Sequence, residues 1–237
     1  MLVAVSSRYD IALERLLAAA ANMGARLLVA GEFMLEGKDG YESDAPEFDR
    51  IGGLVATAGI PLLLGYRESC ATGIYSAAQL LDGLGHSISN CRSAHPARSR
   101  KDAAGNAGVD DGNWLTVSRW SGAPFSALLG DDILHPEIAR AVMLQGAEVI
   151  LALRRDPLAD EELERAILRT RAFENATHVI GLFGHRLSAF AGDGSPLSPC
   201  AAEDGVFIVD LPVISLAKPA RRPELYGQLV VADTAET

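Results

Sequence analysis

The residues best suited to chemistry in this sequence are a few carboxylates and imidazoles that stand next to apolar runs. Glu32 ends the run RLLVAGE, and Asp131 and Asp132 follow the run PFSALLG. A carboxylate can transfer protons as a general acid or base, and imidazoles such as His95 and His135 can do the same or bind a metal ion. We therefore expect a polar site at the ends of strands.

Convergence of these acids with either histidine would form a metal site, or a carboxylate pair that activates water. Three acids in one pocket would repel each other without a cation. In the alternative interpretation, Asp132 caps the helix that follows it or braces the turn, and His95 is a structural hydrogen-bonding residue. We adopt this alternative, so the sequence predicts no metal site and no cofactor.

The elements that must position these residues alternate between strands and helices, which is the pattern of an α/β protein. Apolar runs predict strands at 2–6, 26–32, 61–68, 148–154, 178–184 and 205–211. Helical spacing of apolar residues predicts helices at 11–25, 45–59, 136–147 and 160–176. A unit of helix, Gly-Ala and strand at 11–30 recurs at 136–152, which indicates two similar halves. Packed sheet to sheet, they would form a four-layer α-β-β-α sandwich.

The middle of the chain has a different character. Residues 74–90 predict two strands around a glycine-rich turn. Residues 96–113 are rich in Ala, Gly, Ser, Asp and Arg without periodicity, so they predict a long surface loop. The segments 114–120 and 123–130 predict two further strands.

Length and composition predict one folded domain followed by an extension. The chain has 237 residues, of which 49% are hydrophobic, enough for one sizeable core. We place the domain at 1–211 and a C-terminal tail at 212–237, because the tail mixes Pro, Arg and acidic residues. The net charge of −10 argues against non-specific nucleic-acid binding.

Several absences in the sequence predict a cytoplasmic protein. No apolar run reaches the roughly 18 residues that a membrane-spanning helix needs. The N-terminus lacks the basic start and cleavage site of a signal peptide. Three cysteines without a CxxC spacing predict neither a disulfide framework nor a zinc site. We expect no membrane and no nucleic-acid partner.

Four blocks of the chain carry recognisable motifs: GARLLVAGEF, PLLLGYRE with IYSAAQLLDGLGHSI, HPEIARAVMLQGAEVIL and RAFEN. Together they resemble the nitrilase superfamily of carbon–nitrogen hydrolases. GARLLVAGEF resembles the segment in which a strand delivers the family's catalytic glutamate, here Glu32. PLLLGYRE with IYSAAQLLDGLGHSI resembles the next strand and hairpin. HPEIARAVMLQGAEVIL resembles the block after the nucleophile, and RAFEN (171–175) matches a structural helix end. The blocks keep the family's order from residue 1 to about 211, and the resemblance implies its four-layer sandwich.

The resemblance also implies a chemistry that this chain departs from. Family enzymes cleave amides or nitriles with a glutamate, a lysine and a cysteine. The cysteine thiolate attacks the substrate, and the lysine stabilises the negative charge that develops. Ser93 stands at the lysine position, in the segment RSAH, and Gly130 stands at the cysteine position, before DDILHPE. Asp132 matches the family's aspartate, and Asp131, Asp132 and His135 are candidates for ligand binding.

Other residues could in principle replace the missing groups, but the simpler interpretation of each is structural. Cys91 is on the same face of its strand as Ser93, yet a buried thiol is the expected state. Lys101 is expected to be solvated. Ser93 and Ser126 have no histidine base at a suitable spacing, so a serine mechanism is not indicated.

Three functions remain open from the sequence. The first is a pseudoenzyme, acting as a binding module or as the non-catalytic subunit of an assembly. The second is a hydrolase of a C–N bond by altered chemistry, with Glu32 as general base. The third is a decayed family member without a selected function. The resemblance implies a small amide- or nitrile-like ligand, and a homodimer or a heterodimer with an active paralogue.

Overall fold

The structure is a computed structural model that describes residues 1–35, 37, 39–97, 109–120, 123–212, 220, 222 and 224. Most of the predicted surface loop 96–113 and of the predicted tail 212–237 lies outside the described residues. The predicted domain 1–211 therefore contains nearly all of the described residues.

Four helices and thirteen strands form the described part of the chain. The helices are α1 (Leu13–Asn22), α2 (Pro46–Ala58), α3 (Pro136–Leu144) and α4 (Glu161–Asn175). The strands of the N-terminal half are β1 (Leu2–Ser6), β2 (Leu28–Leu35), β3 (Leu62–Cys70), β4 (Gly73–Leu81) and β5 (Ser87–Arg92). Those that follow are β6 (Ser118–Trp120), β7 (Ala123–Leu129), β8 (Val149–Arg154), β9 (His178–Phe183), β10 (Arg186–Phe190), β11 (Pro196–Leu197), β12 (Cys200–Glu203) and β13 (Val206–Asp210).

The strands form two sheets that pack face to face. One sheet has the order β12-β13-β1-β2-β3-β4-β5, and the other has the order β11-β10-β9-β8-β7-β6. A hydrophobic cluster joins residues of both sheets, such as Val29 and Leu151. A second cluster packs α1 and α2 on the first sheet, and a third packs α3 and α4 on the other. The predicted four-layer α-β-β-α sandwich is confirmed.

Alternation of side chains explains why these strands have no polar face. In β1, Val3 and Val5 point into the layer between the sheets, whereas Ala4 points toward the helices. In β2, Val29 points inward, and its neighbour Leu28 points outward. Because both faces are covered, β1 and the first half of β2 are continuous apolar runs.

The helix boundaries follow from local chemistry. Pro46 and Pro136 stand in the first turn of α2 and α3, where a missing N–H costs nothing. The Asp160 side chain accepts hydrogen bonds from the backbone N–H of Glu162 and Leu163 and caps α4. Among the described helices, none is both long and apolar enough to cross a membrane.

Two sequence-based predictions differ from the structure. A strand was predicted at 114–120, but only Ser118–Trp120 form one. Their antiparallel pairing with β7 extends over just three residue pairs. The strands β10, β11 and β12 were not predicted. They are short and have no apolar pattern of their own. Their strand structure comes from hydrogen-bonded pairing of β10 with β9, β11 with β10, and β12 with β13.

The topology brings strand ends of both sheets to one end of the sandwich. Strands β1, β2 and β3 run parallel in the first sheet, and β7, β8 and β9 run parallel in the second. Glu32 in β2 accepts a hydrogen bond from the backbone N–H of Arg155, just after β8. The carboxyl ends of the two sets therefore meet, and this is where the candidate site lies.

Candidate functional site

Glu32 is buried at the centre of the site, with only 2% of its surface exposed. Its carboxylate Oε1 accepts a hydrogen bond from the Ser76 hydroxyl at 2.6 Å, and Oε2 accepts one from the Arg155 N–H at 2.7 Å. Ser76 is in β4 of the same sheet, whereas Arg155 belongs to the opposite sheet. One carboxylate thus links the two halves of the sandwich.

The backbone around Glu32 is distorted in a way that aims this side chain. Phe33 adopts a left-handed conformation with φ of 55°, which is rare for a non-glycine residue. The pairing of β2 with β3 shifts register between Ala30 and Leu35. The Tyr9 hydroxyl donates a hydrogen bond to the backbone carbonyl of Glu32 at 2.9 Å and supports the bulge. Strain of this kind is often found at functional sites.

Burial raises the pKa of Glu32 from its ordinary value of 4.5 to about 7. The hydrogen bonds from Ser76 and Arg155 and the charge of Arg154 oppose this shift, whereas the nearby Asp132 adds to it. The Glu32 carboxyl therefore changes protonation near neutral pH, which is the range that suits a general acid or base.

We expect Glu32→Gln to remove part of the pH dependence of stability. Since the folded state holds a proton that the unfolded state releases, the Glu32 contribution is greatest below pH 4.5 and is lost as pH rises through about 7. Between about pH 5 and pH 8, the wild type should lose about 2 to 3 kcal/mol relative to Glu32→Gln. Urea unfolding of both proteins measures this difference.

The exposed Glu42 provides the matched control for this comparison. Glu42→Gln removes the same charge without touching the site, so its stability should follow the wild type at each pH. An equal pH slope for Glu32→Gln and the wild type would contradict the assigned protonation of Glu32.

Asp132 organises the turn that follows β7. Its buried carboxylate accepts backbone N–H hydrogen bonds from His95 at 2.7 Å, Leu129 at 3.2 Å and Ala94 at 3.4 Å. Burial raises the pKa of Asp132, while the bonds from His95 and Leu129 lower it. These hydrogen bonds connect Asp132 to residues 94 and 95 and to the end of β7, as expected for a residue that braces the turn.

Gly130 occupies a position with no space for a side chain. Its φ is +57°, and a Cβ atom there would lie 2.6 Å from the backbone N of Ala97 and 3.0 Å from Cα of Pro96. The Gly130 N–H donates to the carbonyl of Leu153, and the Asp131 N–H donates to the carbonyl of His95. Backbone of the segment 95–97 therefore lies where a nucleophile's side chain would begin.

Ser93 is fully buried, and its hydroxyl donates to the carbonyl of Leu129 at 2.9 Å. Its backbone N–H donates to the carbonyl of Ser76, the residue whose hydroxyl binds Glu32. A continuous path of hydrogen bonds thus joins Glu32, Ser76, Ser93 and the turn at Gly130. The three positions singled out by the sequence, Glu32, Ser93 and Gly130, do converge.

Asp131 and His135 lie at the rim of this centre. The Asp131 carboxylate forms an ion pair with the Arg154 guanidinium, with Nε and Oδ1 2.9 Å apart. The exposed His135 ring stacks on His95 with centroids 4.0 Å apart, and His95 Nδ1 lies 3.4 Å from Asp132 Oδ1. Within the described residues, no three His, Cys, Asp or Glu side chains are grouped closely enough to hold a metal ion.

Two of the residues considered as replacements, Cys91 and Ser126, bond to groups other than Glu32. Cys91 is buried in the layer between the sheets, where its thiol contacts the carbonyl of Ala78 and burial raises its pKa to about 12. The Ser126 hydroxyl donates to the carbonyl of Thr116. Lys101 lies outside the described residues. A buried, structural Cys91 was predicted, and this is confirmed.

Sequence reasoning missed several residues that form the site. Ser76 and Arg155 bind the Glu32 carboxylate directly, and Tyr9 holds its backbone. Beside Ser93, Arg92 forms a bidentate ion pair with the buried Glu68 at 2.7 and 2.9 Å. Ser76, Glu68 and Arg92 had a signal, because they lie in the recognised segments IYSAAQLLDGLGHSI, PLLLGYRE and RSAH. The others depend on contacts between distant segments.

Comparisons with known proteins agree with this geometry. The family model described as carbon-nitrogen hydrolase matches residues 9–187. A protein of Pseudomonas protegens described as "Hydrolase in pqqF 5'region" is 30% identical over 233 residues, covering 86% of this chain and 81% of that protein.

Solved structures share the fold. An amidase from Nesterenkonia sp. has a TM-score of 0.77 at 22% identity and covers 97% of this chain and 96% of its own. A cysteine-to-alanine mutant of the Nesterenkonia sp. AN1 amidase, in complex with butyramide, has a TM-score of 0.73 at 22% identity, covering 90% of this chain and 91% of its own.

Proposed function

Because this chain belongs to the carbon–nitrogen hydrolase family, we propose that it is a member without thiol-dependent hydrolysis that acts as a non-catalytic subunit or binding module. One observation carries this proposal. The backbone of residues 95–97 occupies the space that a side chain at Gly130 would need, with Ala97 N 2.6 Å from a Cβ placed there. Gly130 has no side chain to act as a nucleophile, and the described backbone beside it leaves no room for one.

The contacts of the site support the same conclusion. The Glu32 carboxylate binds a serine hydroxyl and a backbone N–H, and the Ser93 hydroxyl binds a backbone carbonyl. In the family, as the resemblance implies, glutamate and lysine instead serve a substrate and its developing negative charge. Here the same positions join the two sheets, so we assign them a structural role.

The test is an amide-hydrolysis assay of the pure protein. We expect no release of ammonia above the buffer rate from butyramide, butyronitrile or a carbamoyl compound, with the Nesterenkonia amidase on butyramide as the positive control. Glu32→Gln should give the same background. Turnover by the wild type that disappears in Glu32→Gln would contradict the proposal.

A second candidate function is hydrolysis by a water molecule that Glu32 activates. The pKa of about 7 for the Glu32 carboxyl favours it, because such a group can accept a proton from water at neutral pH. The same assay separates the two functions, since this one requires turnover that rises with pH through about 7 and depends on Glu32.

For a non-catalytic subunit, the partner surface that we propose is formed by α3 and α4. Leu144 and Phe173, near the C-terminal ends of these two packed helices, are 49% and 67% exposed. A second copy of this chain is the proposed partner, and an active paralogue is the alternative.

Cys70, Cys91 and Cys200 are free thiols, as is usual in the cytosol, which supports the proposed cytoplasmic location.

A further inference from the structure

A cleft of about 390 Å³ lies at the end of the sandwich opposite Glu32. Its wall includes Arg26 and Ile60, just before β2 and β3, and Asp82 and Ile88 of the hairpin between β4 and β5. Trp120, at the end of β6, closes it from the other sheet. We call this the basal cleft. Its volume falls within the range of small-molecule sites.

Two arginines give the basal cleft an unbalanced positive charge. Arg26 belongs to the first sheet's side and Arg119, beside Trp120, to the second. Both side chains are exposed, and within the described part of the chain neither guanidinium has a hydrogen-bond or ion-pair partner. Unpaired arginines that face one cleft are suited to bind a carboxylate, which accepts their N–H groups in pairs.

The one acid in the wall is already engaged. Asp82 Oδ1 accepts hydrogen bonds from the backbone N–H of Leu84 and His86, and its Oδ2 lies 3.3 Å from His86 Nδ1. The negative charge of Asp82 nevertheless remains in the wall of the cleft, close to any anion that binds there. A singly charged anion therefore fits the cleft better than a doubly charged phosphate would.

The remaining wall is apolar and accepts a hydrocarbon chain. Ile60, Pro61 and Ile88 contribute aliphatic surface, and the side chain of Ile88 is 51% exposed. Trp120 is 6% exposed and also borders the apolar interior between the sheets. Burial of aliphatic groups against such surface contributes about 25 cal/mol per Å².

The geometry points to a binding site for a small aliphatic carboxylate in the basal cleft, with Arg26 and Arg119 holding the carboxylate and Trp120 contacting the chain. The site is independent of the Glu32 centre and of the function proposed above. Since its two arginines come from different sheets, a bound ligand would tie the sheets together at this end.

Tryptophan fluorescence offers a direct test, because the protein contains only Trp114 and Trp120. Trp114 is 49% exposed and does not line the cleft, so a Trp114→Phe background leaves Trp120 as the sole reporter. In this background we expect hexanoate to change the emission saturably, whereas 1-hexanol should bind at least about tenfold more weakly.

Arginine variants assign the signal to the cleft. Arg26→Gln and Arg119→Gln should each weaken hexanoate binding by at least about tenfold, and Arg50→Gln, an equally exposed arginine in α2, should not change it. Circular dichroism checks that each variant is folded. The proposal is overturned by an unsaturable response, by equal binding of 1-hexanol, by tighter binding of hexyl phosphate, or by unchanged binding in both arginine variants.

Discussion

Replacing Gly130 with cysteine should destabilise the protein and leave it inactive toward butyramide. A Cβ at this position would lie 2.6 Å from Ala97 N and 3.0 Å from Cα of Pro96, and both are backbone atoms that cannot rotate away. Overpacking of this kind costs about 1 to 3 kcal/mol, and the left-handed φ of +57° adds about 1 to 2 kcal/mol for a residue with a side chain. We expect a total loss of about 2 to 5 kcal/mol.

Gly24 provides a matched control that separates strain from crowding. Its φ is +73°, but a Cβ atom there would meet nothing within 4 Å. Gly24→Cys should therefore cost only the backbone term, and the difference between the two variants measures the clash at residues 96 and 97. Urea unfolding supplies both values, and an ammonia assay records activity. Equal stability of the two variants would argue against the filled site.

The Gly130 result bears directly on the proposed function. If the segment 95–97 did move aside, then Gly130→Cys combined with Ser93→Lys would regain hydrolysis, because Glu32 is still present. We expect the double variant to remain inactive, since the Ser93 hydroxyl bond to the Leu129 carbonyl is lost in the same step. Measurable Glu32-dependent hydrolysis in that variant would show instead that the pocket has room for substrate and lacks only the cysteine and the lysine.

The second large effect is expected at Asp132. Asp132→Ala leaves the backbone N–H groups of His95, Leu129 and Ala94 without their acceptor. Each buried donor left unpaired costs about 1 to 3 kcal/mol, and the removed charge offsets part of this, so we expect a net loss of about 3 to 5 kcal/mol. Urea unfolding at neutral pH measures the loss.

The neighbouring Asp131 shows what an acidic residue contributes at the rim. Its side chain is 25% exposed and pairs with Arg154, so Asp131→Ala should cost about 1 kcal/mol or less. If Asp131→Ala proved as destabilising as Asp132→Ala, then Asp132 would not be the residue that holds the segment 94–97. Asp132→Asn should fall between the two, because one amide oxygen can keep part of the bonding.

The hydrogen bonds of the candidate site connect the two sheets and the turns at their ends. Glu32 joins β4 to the end of β8, Ser93 joins the end of β5 to β7, and Asp132 joins the end of β7 to the segment 94–97. The proposed function therefore predicts that stability, rather than turnover, is the property most sensitive to these three residues.

Sequence alone was sufficient for the sandwich, because burial follows from local periodicity. Val3 and Val5 alternate with Ala4 in β1, and the proline near the start of α2 predicted its first turn. The same locality explains the errors. Strands β10 to β12 form because neighbouring strands pair with them. They are two to five residues long, and a pattern within so few residues does not predict a pairing partner elsewhere in the chain.

For the site, the sequence determined the residue types, and the resemblance assigned Glu32, Ser93 and Gly130 to the family's glutamate, lysine and cysteine positions. Only the tertiary structure decided what those positions do. The segment 95–97 fills the space beside Gly130, the Arg155 N–H binds Glu32, and Arg26 and Arg119 line the same cleft. These contacts join residues far apart in the chain, so their distances depend on how the two sheets pack and not on any local pattern.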